Sequence, residues 1–348
     1  MPLLRNWFLL FCWYLLSPIG APAQAQPTDT SGLGFSMKPP PKLLSLEPAT
    51  TLHKGRFWLT AGTGLAVYSG VSIALWNAWY KDYPLTGFHT FNDMGEWMDM
   101  DKAGHLFSAN MECNYAFQGA MWTGMKRKNA LWTAVGVGMG IQATIEVMDG
   151  FSEEWGFSFP DIAFNTLGVG LFAAQELAWH EQRIKMKVSG IRPDYDNTPL
   201  LPDGAGQPTT LDDRAAGLYG TSFFHVILKD YNALTVWASV NVSSFLGHPE
   251  TSKFPKWLNL AVGYGAGNLY GGFENQWATE DGSIFSLDPQ TYPRFRQFYL
   301  SPDLDWTRIP TRHRWLKVGL SLLNWLKFPA PALEFNTLGN VKFHPLHW

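Results

Sequence analysis

Residues 149–168 read "DGFSEEWGFSFPDIAFNTLG" and set Asp149, Glu153, Glu154, Asp161 and Asn165 among aromatic residues and glycines. Buried surfaces refuse unpaired carboxylates, so these charges either face water or are gathered together. Ser158-Phe-Pro-Asp161 is a helix-start signature, with Ser158 as N-cap, Pro160 in the first turn and Asp161 at N3. A helix is therefore predicted from about Phe159 to Lys185. Glu153 and Glu154 precede it in an exposed loop.

Two helices are predicted upstream, from about Asp101 to Thr123 and from about Asn129 to Asp149. On the first, Asp101, His105, Ser108 and Glu112 fall at steps of four, three and four and share one face. Gln142, Glu146 and Asp149 share a face of the second, and Asp161 and Asn165 a face of the third. Three apolar rods with polar stripes are buried at least cost by turning the stripes toward one another or toward a shared cleft. Glycines in "GVGMG" (136–140) and "GVG" (168–170) permit close helix approach. Residues 57–80 carry no charge and are long enough to cross a bilayer, though a buried bundle helix fits them equally.

The chain has 348 residues and a net charge of −3, so it lacks the basic field of a nucleic-acid binder. Aromatic residues make up 15%, including 17 Trp, which suits half-wet surfaces such as membrane interfaces and glycan sites. Residues 1–25 read as a secretory signal peptide: Arg5, the apolar run "WFLLFCWYLL", then "APAQA". A retained N-terminal anchor fits the same pattern. Cys12 lacks the small residues of a lipoprotein cleavage site before it and is not read as lipidated. Cys113 then stands alone, which excludes an internal disulfide and cysteine-based metal clusters.

Residues 26–50, with "KPPPK", read as a flexible or extended lead-in to a helical domain over 51–188. Residues 189–222 read as a Pro/Gly/Asp linker to a β-rich region over 223–348. There the pattern turns to period two, at Val236, Ala238, Val240 and Val242, and again at Leu258, Leu260, Val262 and Tyr264. Phe298, Leu300, Leu304 and Trp306 continue it. Such alternation predicts strands with one buried face, and 332–346 predicts a hairpin around Asn336–Asn340. Residues 312–328 predict a basic amphipathic helix that covers a sheet or lies on a membrane. Trp348 ends the chain as outer-membrane strands often end, but too few strands are legible for a closed barrel. The fold class expected is α+β, a bundle of about four helices followed by an antiparallel β-rich region.

Each polar residue has a plain structural role open to it. Asp161 can cap, Asp101 can complement the helix dipole, Lys102 can be solvated or paired with an acid, and Asn165 can tie helices together. His105 and Glu146 fall mid-pattern on apolar helices, where an unpaired polar group costs a few kcal/mol. They are either a buried structural pair or a proton-transfer or metal pair.

"DKAGHLFSAN" (101–110), Glu146 and "SFPDIAFNTLG" (158–168) together resemble VanZ-like and YfiM-like envelope proteins. The shared pattern is Asp-Lys-x-x-His, a Glu on the next helix, then Ser-x-x-Asp-x-x-x-Asn-x-x-Gly, over about 101–176. It falls on Asp101, Lys102, His105, Glu146, Ser158, Asp161, Asn165 and Gly168. The resemblance implies a VanZ-like helical bundle in a YfiM-like periplasmic protein of uncharacterised function. VanZ-like relatives are membrane helical proteins linked to glycopeptide tolerance. This chain departs from them in its less hydrophobic helices and preceding signal peptide.

Two functions follow as expectations. One is an envelope protein whose cluster is a structural network or ligand site, drawing on Asp101, Lys102, Asp149, Ser158 and Asn165. Its expected partners are membrane, lipid or glycan. The other is a hydrolase or transferase acting on a lipid or cell-wall intermediate, with His105, Glu146 and Asp161 as catalytic groups and a divalent cation as a candidate cofactor. No Gly-x-Ser-x-Gly, His-Glu-x-x-His or P-loop motif supports the second.

Overall fold

The computed structural model describes residues 42–81, 83–246, 254–279 and 281–348. The signal-peptide segment, Cys12 and the lead-in up to residue 41 lie outside them. The first helix, α1 (Lys54–Leu75), continues through a π-helical turn, Trp76–Tyr80. Then come α2 (Met100–Trp122), α3 (Arg127–Asp149) and α4 (Phe159–Trp179). Residues 42–50 are not a free lead-in. Arg56 is fully buried, stacks on Trp122 at 4.5 Å, and donates to the carbonyls of Lys42, Leu43, Ser45, Glu47 and Trp122. The guanidinium fork thus folds this segment back onto the helices, a long-range effect no local pattern reveals.

Helices α2, α3 and α4 share a core of Ala109, Cys113, Phe117, Ala130, Leu131, Ala134, Val169 and Phe172. Two glycines set how closely they approach. A methyl at Gly168 would lie 2.3 Å from the Leu106 carbonyl oxygen, and one at Gly138 would lie 2.5 Å from Cys113 Sγ. Gly168→Ala must push α4 off α2 and is expected to lower stability by about 1–3 kcal/mol, read as a shifted urea midpoint. The α4 helix ends at Trp179, short of the predicted Lys185. His180 takes a left-handed conformation at φ 53°, and Arg127 reaches its carbonyl. Residues 184–190 become strand, because Lys185 and Lys187 alternate with Met186 and Val188 across two faces.

The β region is one antiparallel sheet in the order β1-β2-β3-β6-β7-β8, beside a small β4-β5 ribbon. Its strands are β1 (Ile184–Gly190), β2 (Leu234–Asn241), β3 (Leu258–Gly267), β6 (Phe295–Leu304), β7 (Ala330–Asn336) and β8 (Val341–His347). The ribbon is β4 (Gln276–Ala278) and β5 (Ile284–Ser286). The protein is therefore α+β, with helices first and the antiparallel sheet in the C-terminal part. The stretch read as a linker contains α5 (Leu211–Tyr219), whose Leu211, Ala215 and Tyr219 are buried. A short α6 (Phe223–Lys229) follows. The basic amphipathic stretch forms α7 (Arg314–Leu323). It does not cover the sheet: its end meets α2, where Tyr115 donates to the Leu322 carbonyl and Ser321 bonds Gln118.

The sheet has an inverted inside. Alternation was expected to bury Leu260, Val262, Phe298 and Leu300, yet these are exposed. Their neighbours Asn259, Ala261, Tyr299, Ser301 and Asp303 are buried instead. The strands coil around this second face. Val188 N–H donates to Trp325 O, Lys327 N–H donates to Val188 O, and Trp348 Nε1 donates to Lys327 O, so residues 325–327 link β1 to the end of β8. Inside, Lys187 pairs with Asp303 at 2.8 Å, Ser239 donates to Asp303, and His347 stacks on Tyr299 at 4.4 Å. The other face is covered at its β1–β3 side, where Val188, Val236 and Ala266 pack with Met100 and Phe107 of α2, Ile227 of α6 and Trp325.

Candidate functional site

The polar stripes of α2, α3 and α4 meet at one end of the helices. Ser158 caps α4, its Oγ accepting from Asp161 N–H at 3.0 Å and donating to Asp93 Oδ1 at 2.6 Å. Removing that cap in Ser158→Ala is expected to lower stability by about 1–2 kcal/mol, read by thermal unfolding. The start of α2 is held by the sheet. Trp97, Met98 and Asp99 all have positive φ, which is costly for non-glycine residues. Trp97 N–H donates to Gly272 O, Tyr264 donates to Met98 O, and Arg296 pairs with Asp99 at 2.6 Å. These contacts aim the first turn of α2 at the other two helices.

Lys102 is neither solvated nor paired with a single acid. Its fully buried ammonium lies 2.7 Å from Asp93, 2.9 Å from Asp101 and 2.6 Å from Asp161. Burial would pull its pKa down, but Asp101 and Asp161 outweigh that and raise it. Asp101 is held below the ordinary carboxylate range. Burial raises it, yet His105 and Lys102 together outweigh burial.

His105 sits one turn further along α2. Its Nδ1 faces Asn165 Oδ1 at 3.1 Å and Gln142 Oε1 at 3.3 Å, with Glu146 Oε1 at 3.6 Å. Two carbonyl-type acceptors and a carboxylate place a proton on Nδ1. The acceptors are themselves fixed, since Gln142 Nε2 donates to Ser108 and Glu112 and Asn165 Nδ2 faces fully buried Glu146 at 3.5 Å. On the other side, Nε2 makes no hydrogen bond among the described residues. It lies 3.6 Å from Asp101 Oδ1 and 3.7 Å from Asp161 Oδ1. Burial depresses the imidazole pKa, but Asp101, Asp161 and Glu146 overcome it and push it up to about 9. Burial and the charge of Asp101 push Asp161 up to about 7.

Asp101, Lys102, His105, Glu146, Ser158, Asp161 and Asn165 thus come together. Asp149 does not touch His105: it accepts from Tyr80 at 2.5 Å. Glu153 and Glu154 are exposed, as expected of their loop. Asp93 and Tyr231 also belong to the site, and no sequence pattern marks them. Asp93 lies in a loop eight residues before Asp101 with no periodic signal, and Tyr231, 3.4 Å from Asp101, comes from the turn before β2. Asp101, His105 and Asp161 form a set whose ligand atoms all lie within 4.8 Å of one another.

Residues 89–175 match the family described as "Predicted periplasmic lipoprotein (DUF2279)". That span holds Asp93 and every helix residue of the cluster. No curated protein and no solved structure matches the chain. Cys113 is buried between the helices and offers no place for a lipid, while Cys12 lies outside the described residues. On the family match the protein is exported and periplasmic, a protein of the cell envelope.

Proposed function

We propose that this envelope protein carries a ligand site at the acidic end of its helices, and that a divalent cation held by Asp101, His105 and Asp161 is the ligand chemistry that fits. The orientation of His105 carries the reading. A metal-binding imidazole characteristically ties its remote N–H to fixed acceptors, leaving the other nitrogen for the ion. Nδ1 is so tied, and Nε2 is turned to two carboxylates. Ligand atoms bound at ~2.1 Å to one tetrahedral ion sit about 3.4 Å apart, close to the 3.6 and 3.7 Å that separate Nε2 from the two carboxylate oxygens. Asp161, nearly fully buried, makes no aligned hydrogen bond through Oδ1, which faces the Lys102 ammonium at 2.6 Å and His105 Nε2 at 3.7 Å. Lys102 grips Asp101 through Oδ2 and leaves Oδ1 facing the imidazole. Four carboxylates (Asp93, Asp101, Asp161 and Glu146) surround Lys102 and His105, so the site retains negative charge that a proton or cation neutralises.

The test is calorimetric titration of the chelator-treated full chain with Mn²⁺ and Zn²⁺. One ion per chain is expected, with affinity falling at least about tenfold in Asp101→Asn and His105→Gln. Failure of the wild type to bind either ion at millimolar concentration, or equal binding by the variants, overturns the reading. The YfiM-like and VanZ-like likeness is part of the same proposal, since its pattern supplies all three ligands and the partner Lys102. A second reading makes the site an enzyme's, acting as hydrolase or transferase on a lipid or cell-wall intermediate. What favours it is that Asp101 and His105 are the partly exposed members, at 26% and 14% of their side chains, so a substrate atom can reach Nε2. His105 would then exchange protons with the substrate while Glu146 orients it.

A further inference from the structure

We infer that a lipid bilayer covers α1 together with the outer face of β3, β6, β7 and β8. Two independent observations meet here. The first is α1. From Gly62 to Val67 every residue is exposed, and the half-buried Phe57, Thr60, Ala61, Tyr68 and Ser72 fall along one stripe, so apolar side chains face outward around the rest of the helix. Trp58, Val67 and Ile73 are 60%, 60% and 62% exposed. A partner protein covers one side of a helix, whereas a helix apolar all round needs an apolar solvent. Its ends suit a membrane also. Lys54 and Lys81 flank the uncharged run, and Trp58 and Trp76 stand about 27 Å apart at 1.5 Å per residue, near the ~30 Å of a bilayer's hydrocarbon.

The second observation is the inverted sheet. Val262 pairs with Leu300, Phe298 with Phe335, and Leu333 with Phe343, giving a continuous apolar strip across four neighbouring strands. Phe343 is 67% exposed and Val262 54% exposed. The same strands turn Ser301, Asp303 and Glu334 inward and bury them. A sheet in water hides its apolar face and wets its polar one; the opposite order is that of strands bathed in lipid.

The experiment uses the full chain, purified in detergent and mixed with phosphatidylcholine/phosphatidylglycerol vesicles. The chain is expected to float with the vesicles and to stay bound through 1 M salt and alkaline carbonate. Single cysteines at Val262 and Leu300, carrying an environment-sensitive dye, are expected to shift to the blue on reconstitution. The double variant Val67→Lys/Val71→Lys, at exposed positions whose change spares the core, is expected to leave at least about tenfold less chain on the vesicles. Release by salt or carbonate overturns the inference. So does a stable detergent-free oligomer that shields the dyes without lipid, which would make a second copy the occupant.

Discussion

Lys102→Met is expected to lower stability by about 3–5 kcal/mol, the cost of leaving buried charges without their partner. The ammonium has no exposed side-chain surface and sits within 2.9 Å of Asp93, Asp101 and Asp161. Methionine fills the same volume but returns no charge, so three carboxylates from a loop, α2 and α4 are left to repel one another. Removing the acids as well separates this from lost packing. Adding Asp93→Asn and Asp161→Asn is expected to recover a large part of the loss, because desolvation is relieved along with the attraction. Urea unfolding reads both. A cost under about 1 kcal/mol for the single variant would mean water reaches the cluster and screens it.

The second large effect is with pH. His105 is lifted from 6.5 to about 9 in the folded chain. A raised pKa contributes stability that is complete below the unfolded value and lost as pH climbs through the folded one. At about 1.4 kcal/mol per unit, the cation-free protein is expected to lose a few kcal/mol between pH 6 and pH 10. Asp161, raised to about 7, acts in the same direction at lower pH. A bound divalent cation replaces these protons, so its affinity is expected to climb about tenfold per pH unit between 7 and 9, and more steeply below 7. Thermal unfolding with and without Mn²⁺ checks both parts. A melting temperature flat across this window would mean the imidazole carries no extra proton.

Much of the site was legible because its signal is local. Asp101 and His105, Gln142 and Glu146, and Asp161 and Asn165 each lie four apart on apolar helices, and rods carrying such stripes bury cheaply only by facing them together. The Ser158 cap was equally legible, since its bond spans three residues. Asp93 and Tyr231 were not, because neither belongs to a periodic segment and each reaches the site through the path of a loop. Arg56 hid for the same reason: its acceptors are backbone carbonyls, which every residue owns and no composition records.

Periodicity alone determined that this chain makes helices first, strands later and a polar meeting point between three of the helices. Bond geometry imposes periods of 3.6 and 2.0 on any chain, so those elements can be read without knowing their surroundings. Period two says that the two faces of a strand differ, but not which is hidden. Only the tertiary structure decided that Asp303 and Ser301 turn inward while Val262 and Leu300 turn out. The sign of that choice depends on what medium covers the sheet, and that is a property of the assembled surface rather than of any residue in it.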